Sequence, residues 1–178
     1  MTEAMAEPWL RGTLTEVPAV HRAVLHALEL AQEDVTKWCH GLTDAELNDR
    51  PLGLPPVSFQ LRHIARSLDR LLTYAEGEQL AMEQIAALKS EMDADASHGA
   101  LFAEISEGIQ RSAERVRALA ALELDQPRGV GKKQLPTSVG GLLVHVADHT
   151  QRHVGQAITT AKVLVARRGG LTASAILP

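Results

Sequence analysis

Residues 141–156 read Gly-Leu-Leu-Val-His-Val-Ala-Asp-His-Thr-Gln-Arg-His-Val-Gly-Gln and set His145, His149 and His153 at intervals of four. Residues four apart on an α-helix lie one turn above each other on one face, so neighbouring imidazoles in this stretch can converge on a point. Convergent imidazoles suit a divalent transition metal. His145 and His153 stand about 12 Å apart along the axis, too far to share one ion, so the pair is His145 with His149 or His149 with His153. Projected at 100° per residue, Val139, Val146, Ala157 and Leu164 cluster in one direction, with His153 about 20° from it, His149 at the near edge and His145 further round. The apolar face therefore selects His149 and His153. A histidine inside such a stripe must satisfy its ring nitrogens, through a metal and a supporting partner or through ordinary hydrogen bonds.

The composition agrees with a helical chain. Hydrophobic residues make up 45% of the 178 and aromatic residues only 3%; Ala and Leu dominate, which favours helices over sheets. The length suits one domain with a real core. A formal charge of −4, from 18 basic and 22 acidic residues, gives no general attraction to nucleic acid, and no basic stripe interleaved with aromatics is present. Cys39 is the single cysteine, which excludes an intramolecular disulfide and fits a reducing cytoplasm; it reads as a small buried apolar residue. Met1 to Leu14 carries acids and a proline where a signal peptide needs a basic start and an apolar run. No apolar run reaches the roughly 18 to 20 residues that a membrane span requires.

The expected organisation is a lead-in over 1–14, one helical domain over 15–170 and a tail over 171–178. Thr15, Glu16 and Pro18 resemble a helix start. Val17, Val20, Val24, Leu28, Ala31, Val35 and Trp38 continue at helical spacing until Gly41. His21, His26 and His40, in or beside this first helix, form no pair four apart and read as solvated or hydrogen-bonded. Thr43-Asp44-Ala45-Glu46 is a capping box for a short turn, followed by a connector with prolines at 51, 55 and 56. Ser58 is the expected cap of a second helix whose stripe is Leu61, Ile64, Leu68, Leu71, Leu72 and Ala75, ending at Gly77. His63 lies about 100 to 120° from the centre of that stripe, on a flank shared with Ser67 and Tyr74. Residues 78–95 read as a helical excursion around Met82 to Met92. A third helix runs from Ser97 to near Leu122 with Arg111, Glu114, Arg115 and Arg117 on its solvated face. The segment 125–136 reads as a flexible loop, and Thr137 or Ser138 caps a fourth helix that ends near Arg167. No strand pattern is visible. Two histidines are too few for a strong site, and the residues free to supply a third ligand are His63, His26, Asp69 and the acids of the third helix.

Three motifs stand in order along the chain: Leu61-Arg62-His63-Ile64-Ala65, then His149-Thr150-Gln151-Arg152-His153, then Gly155-Gln156. With Gly41-Leu42-Thr43-Asp44-Ala45-Glu46-Leu47 between the first two helices, they resemble the DinB-like, or YfiT-related, superfamily of metal-dependent bacterial proteins over about Val17 to Arg168. The resemblance implies an all-α antiparallel four-helix bundle, often a homodimer, in which His63, His149 and His153 bind a divalent ion such as Zn²⁺ or Ni²⁺. Family members often carry Arg directly after the last histidine, where this chain has Val154. Three neutral imidazoles leave an open coordination position, the mark of a catalytic type of site. Some relatives are S-transferases that use low-molecular-weight thiols such as bacillithiol or mycothiol, and some are isomerases using such thiols. The leading expectation is a metal-dependent thiol transferase or hydrolase acting on a small molecule, with no catalytic side chain assigned. The alternatives are a non-catalytic, stress-linked metal-binding bundle and a plain helical interaction module. Asp148 and Gln156 are candidates to support the ligands, although Asp148 projects toward solvent.

Overall fold

The computed structural model of the protein describes residues 6–93 and 97–169; the expected tail over 171–178 and the start of the lead-in lie outside them. The described chain is mostly helical. Its four long helices are α1 (Ala19–Cys39), α3 (Val57–Glu76), α5 (His98–Ala118) and α6 (Val139–Arg168), with short α2 (Asp44–Asn48) and α4 (Met82–Lys89) between them. Among the described residues no helix is long and apolar enough to cross a membrane.

The helix ends follow local chemistry, with two shifts from expectation. The first helix begins after Pro18, with no side-chain cap, rather than at Thr15. In the same way α3 begins after Pro56, and Ser58 is buried within its first turn instead of capping it. In both cases proline's fixed φ and missing N–H place the boundary without a hydroxyl. Gly77 closes α3 in the left-handed conformation, at φ 92°, and its amide meets the Thr73 and Tyr74 carbonyls. The hydroxyls of Ser97 and Ser138 accept the Ala100 and Gly141 amides at the starts of α5 and α6, and Thr43 with Glu46 forms the expected capping box of α2.

The stretch read as a flexible loop without strands is an antiparallel hairpin, β1 (Pro127–Val130) with β2 (Leu135–Ser138). Gly131 at φ 70° and Gln134 at φ 49° reverse the chain, and Arg128 Nε donates to the Ala75 carbonyl at 2.7 Å, fixing the hairpin to the end of α3. Four-residue strands containing Pro and Gly carry no alternation for a sequence reading to detect.

The core joins Leu28, Ala31 and Val35 of α1 to Leu61, Ile64, Leu68 and Leu72 of α3, Leu101, Ile105 and Val116 of α5, and Leu143, Val146, Ala157 and Ala161 of α6. Each of α1 and α3 packs on both α5 and α6. The contacts also give the sense of each pair. His149 meets Ser67 and His153 meets Gln60, so α3 and α6 run antiparallel. Gln151 reaches the Ala27 carbonyl and Arg168 the Gly41 carbonyl, so α1 and α6 run parallel. Arg66 pairs with Glu104, and Glu76 with Arg115, so α3 and α5 are parallel as well, and these two neighbouring pairs depart from the antiparallel arrangement expected. A parallel neighbour requires the chain leaving α3 to travel back along it. The segment through α4 does this: Gln84 bonds Asp69 and Thr73, the Ala87 carbonyl receives Arg66, and the Asp93 carbonyl receives Arg62.

The α3–α5 contact is close. A Cβ on Gly108 would stand 3.0 Å from Ala65 Cβ and 3.2 Å from its Cα. We expect Gly108→Val to lower the unfolding free energy by about 1–3 kcal/mol through overpacking, measured by urea denaturation; an unchanged midpoint would contradict this packing.

Candidate metal centre

His63 on α3 meets His149 and His153 on α6, where one ligand atom from each of the three lies within 4.8 Å of the others. His63 Nε2 and His149 Nε2 are 3.2 Å apart, and the His63 and His153 ring centroids are 4.3 Å apart, edge to face. Among the described residues no cysteine or carboxylate joins this group. The flank of α3 that carries His63 therefore faces a crevice between helices, and its companions Ser67 and Tyr74 are buried.

The outer ring nitrogens decide what the inner ones can do. Gln60 Oε1 is an acceptor 2.7 Å from His153 Nδ1, and a carboxylate oxygen of Glu91 lies 2.7 Å from His63 Nδ1. Both acceptors require an Nδ1–H, and a neutral imidazole has only one N–H. The Nε2 lone pairs of His63 and His153 are thus free and aimed inward. His149 has Ser67 Oγ 3.4 Å from its Nδ1. Lone pairs this close need a proton or a cation between them, which is the chemistry of a nitrogen donor set for a divalent ion. Phe59 stacks on His63 with ring centroids 5.4 Å apart, closing one side with an apolar face.

Burial keeps the two α6 donors, His149 and His153, neutral. Burial pushes His149 down to about 4, with the nearby imidazoles of His153 and His63 adding to the effect. Burial likewise pushes His153 down to about 4, with the neighbouring His63 imidazole next. Neutral rings at pH 7 keep their lone pairs available. Glu91 is 4% exposed; burial opposes its charge, but hydrogen bonds from His63 and Arg70 outweigh that and hold it below the usual carboxylate range.

The other candidates lie elsewhere. His26 is buried and bonded to Thr13 Oγ1 at 3.1 Å. Asp69 is engaged by Arg115 and Gln84, and the α5 acids Glu104 and Glu107 pair with Arg66 and Arg111. His145, 47% exposed, lies outside the cluster, and Asp148 pairs with Arg152 in solvent. Gln156 is exposed, three residues after His153 on α6, and partly opposes the lowering of the His153 ring. Val154 is 1% exposed, so the position after the last histidine packs in the core. His21 departs from expectation: it is buried and neither ring nitrogen has a hydrogen-bond partner. Its spacing of three and seven residues from buried Val24 and Leu28 puts it on the inward stripe of α1. The Cys39 thiol is fully buried, and burial with the Asp34 carboxylate raises it to about 12, so it is no nucleophile.

Sequence reading missed Gln60, Ser67 and Glu91. Gln60 stands three residues before His63, on an adjoining helical face, and was legible in principle as a polar residue next to a candidate ligand. Glu91 had no signal, because its approach depends on the crossover.

Fold and cluster together define a helical protein built around three inward-facing histidines, an arrangement compatible with a metal-binding site. The profile of the DinB superfamily matches residues 27–157, and the chain belongs to that superfamily. None of the curated proteins matches the chain.

The depressed histidines give the site a pH signature. The unfolded chain takes up protons from 6.5 downward while the folded rings resist them to about 4. Stability present above pH 6.5 is therefore lost as pH falls through that window. Depressed carboxylates such as Glu46, at about 2, act below their ordinary 4.5. For chelator-treated protein, the denaturant midpoint should fall between pH 6.5 and 4.5, and the fall should shrink when His149 and His153 are both replaced by Gln. The same slope in the double variant would contradict the assignment.

Proposed function

We propose that His63, His149 and His153 hold one divalent ion, Zn²⁺ or Ni²⁺, and that the protein is a metal-dependent enzyme acting on a small molecule, as a thiol S-transferase or a hydrolase. The observation that carries this reading is the pair of Nδ1 contacts, His63 to Glu91 and His153 to Gln60, which leave two Nε2 lone pairs facing His149. Three protein donors with no fourth in the group are the ligand count of an open site. An ion bound there supplies a Lewis acid able to activate a water or the thiolate of a low-molecular-weight thiol such as bacillithiol or mycothiol.

The chain's own residues have separable roles. Gln60 and Glu91 fix ring orientation, burial keeps His149 and His153 unprotonated, and Phe59 presents an apolar wall to an arriving substrate. Gln156, exposed three residues after His153 on the same helix, is placed to contact substrate beside the ligands. We read the four long helices as the four-helix bundle of the family, spanning 15–170, and the protein as a cytoplasmic homodimer.

Metal content of protein purified without a histidine tag tests this directly, together with metal-dependent turnover in a thiol-conjugation and hydrolysis screen. One ion per chain is expected. His149→Ala should lower affinity by more than the about 10- to 100-fold typical of removing an outer partner, while His145→Ala leaves it unchanged. Equal loss in both variants would place the ion elsewhere. A stoichiometric ion without turnover would favour a non-catalytic, stress-linked metal-binding bundle.

A further inference from the structure

The crossover segment from Met82 to Asp93 is held differently from the rest of the fold. No residue of α4 is buried. Its attachments to α3 are polar: Gln84 to Asp69 and Thr73, Arg66 to the Ala87 carbonyl and Ser90 Oγ, and Arg62 to the Asp93 carbonyl. A segment with few buried apolar contacts opens at lower free energy than the core around it. Just past α4, this segment inserts one charged side chain into the protein. Glu91 is buried, its Oε1 accepting from Arg70 Nη1 at 2.7 Å and its Oε2 lying 2.7 Å from His63 Nδ1.

The three histidines differ in what orients them. His153 is held by Gln60 and His149 faces Ser67, and both partners belong to α3, inside the packed helices. His63 takes its orientation from the crossover. We propose that Glu91 is a positioning residue that couples ion binding at the three-histidine cluster to closure of the 82–93 segment on α3. The inference rests on the metal reading above and adds a regulatory element to that site. With Glu91 in place, His63 Nδ1–H donates to a carboxylate, which fixes the tautomer with Nε2 bare and raises its basicity. With the segment open, Nδ1 loses its acceptor and the ring is free to turn or to change tautomer. Linkage makes the effect reciprocal: whatever factor closure adds to ion affinity, ion binding adds to closure. A buried Glu91–Arg70 pair with a purely structural role would stabilise loaded and unloaded protein equally and leave ion affinity alone.

Zn²⁺ is the probe, with the full chain and two variants, Glu91→Ala and Glu91→Gln. Zn²⁺ affinity is read by competition with a chromophoric chelator, and segment closure by hydrogen–deuterium exchange across 82–93 with and without Zn²⁺. In the native sequence, Zn²⁺ should slow exchange across 82–93. In Glu91→Ala, affinity should fall by about 10- to 100-fold and the Zn²⁺-dependent slowing should vanish. Glu91→Gln retains an acceptor for His63 without the charge and should fall between. Unchanged affinity in both variants, or slowing that persists in both, overturns the coupling while leaving the metal site standing. Failure of the native chain to bind Zn²⁺ overturns the metal reading and the coupling together.

Discussion

An imidazole buried between helices must satisfy two nitrogens, and at this site the outer nitrogen is satisfied first. The Nδ1 contacts of His63 to Glu91 and of His153 to Gln60, both 2.7 Å, settle which tautomer each ring adopts. Everything inward follows. Two Nε2 lone pairs converge with His149, burial keeps His149 and His153 neutral down to about 4, and the packing of α3 against α6 brings the three into one group. Membership of the DinB superfamily agrees with this arrangement.

The topology determines where the support for His63 comes from. Because α3 and α5 run parallel, the chain between them must return along α3, and that return meets Arg66 at Ala87 and Ser90, Arg70 at Glu91 and Arg62 at Asp93. Three arginines on one side of α3 donate to carbonyls, a hydroxyl and one carboxylate of the crossover. The carboxylate, Glu91, continues past the arginine to His63. A connection by a short turn between antiparallel neighbours would bring no side chain back to the level of His63.

Much of this was legible in the residues. The stops at Gly77 and the Ser138 cap, the capping box at Thr43, the excursion near Met82 and the inertness of Cys39 each follow from local chemistry that neighbouring residues carry. The choice of His149 and His153 over His145 rested on helical projection, and the exposure of His145 agrees with it. His63 was ambiguous because a flank position at about 100° from a stripe can face solvent or a neighbouring helix, and only the resemblance raised it. What stayed hidden depends on tertiary contacts or on patterns too short to read. The hairpin at 127–138 has strands of four residues with Pro and Gly in them. The burial of His21 sets a polar ring on an otherwise apolar stripe. Glu91 sits 28 residues from His63 in sequence, in a segment with no motif, and only the parallel pairing of α3 and α5 brings them together.

The central claim is that three imidazoles, and no other protein group, bind one ion. X-ray absorption at the zinc edge of the Zn²⁺-loaded full chain tests it most directly. The account predicts three imidazole nitrogens at about 2.0–2.1 Å and a remaining light ligand from solvent or substrate. A sulfur scatterer at about 2.3 Å, or a spectrum without imidazole scattering, would contradict it.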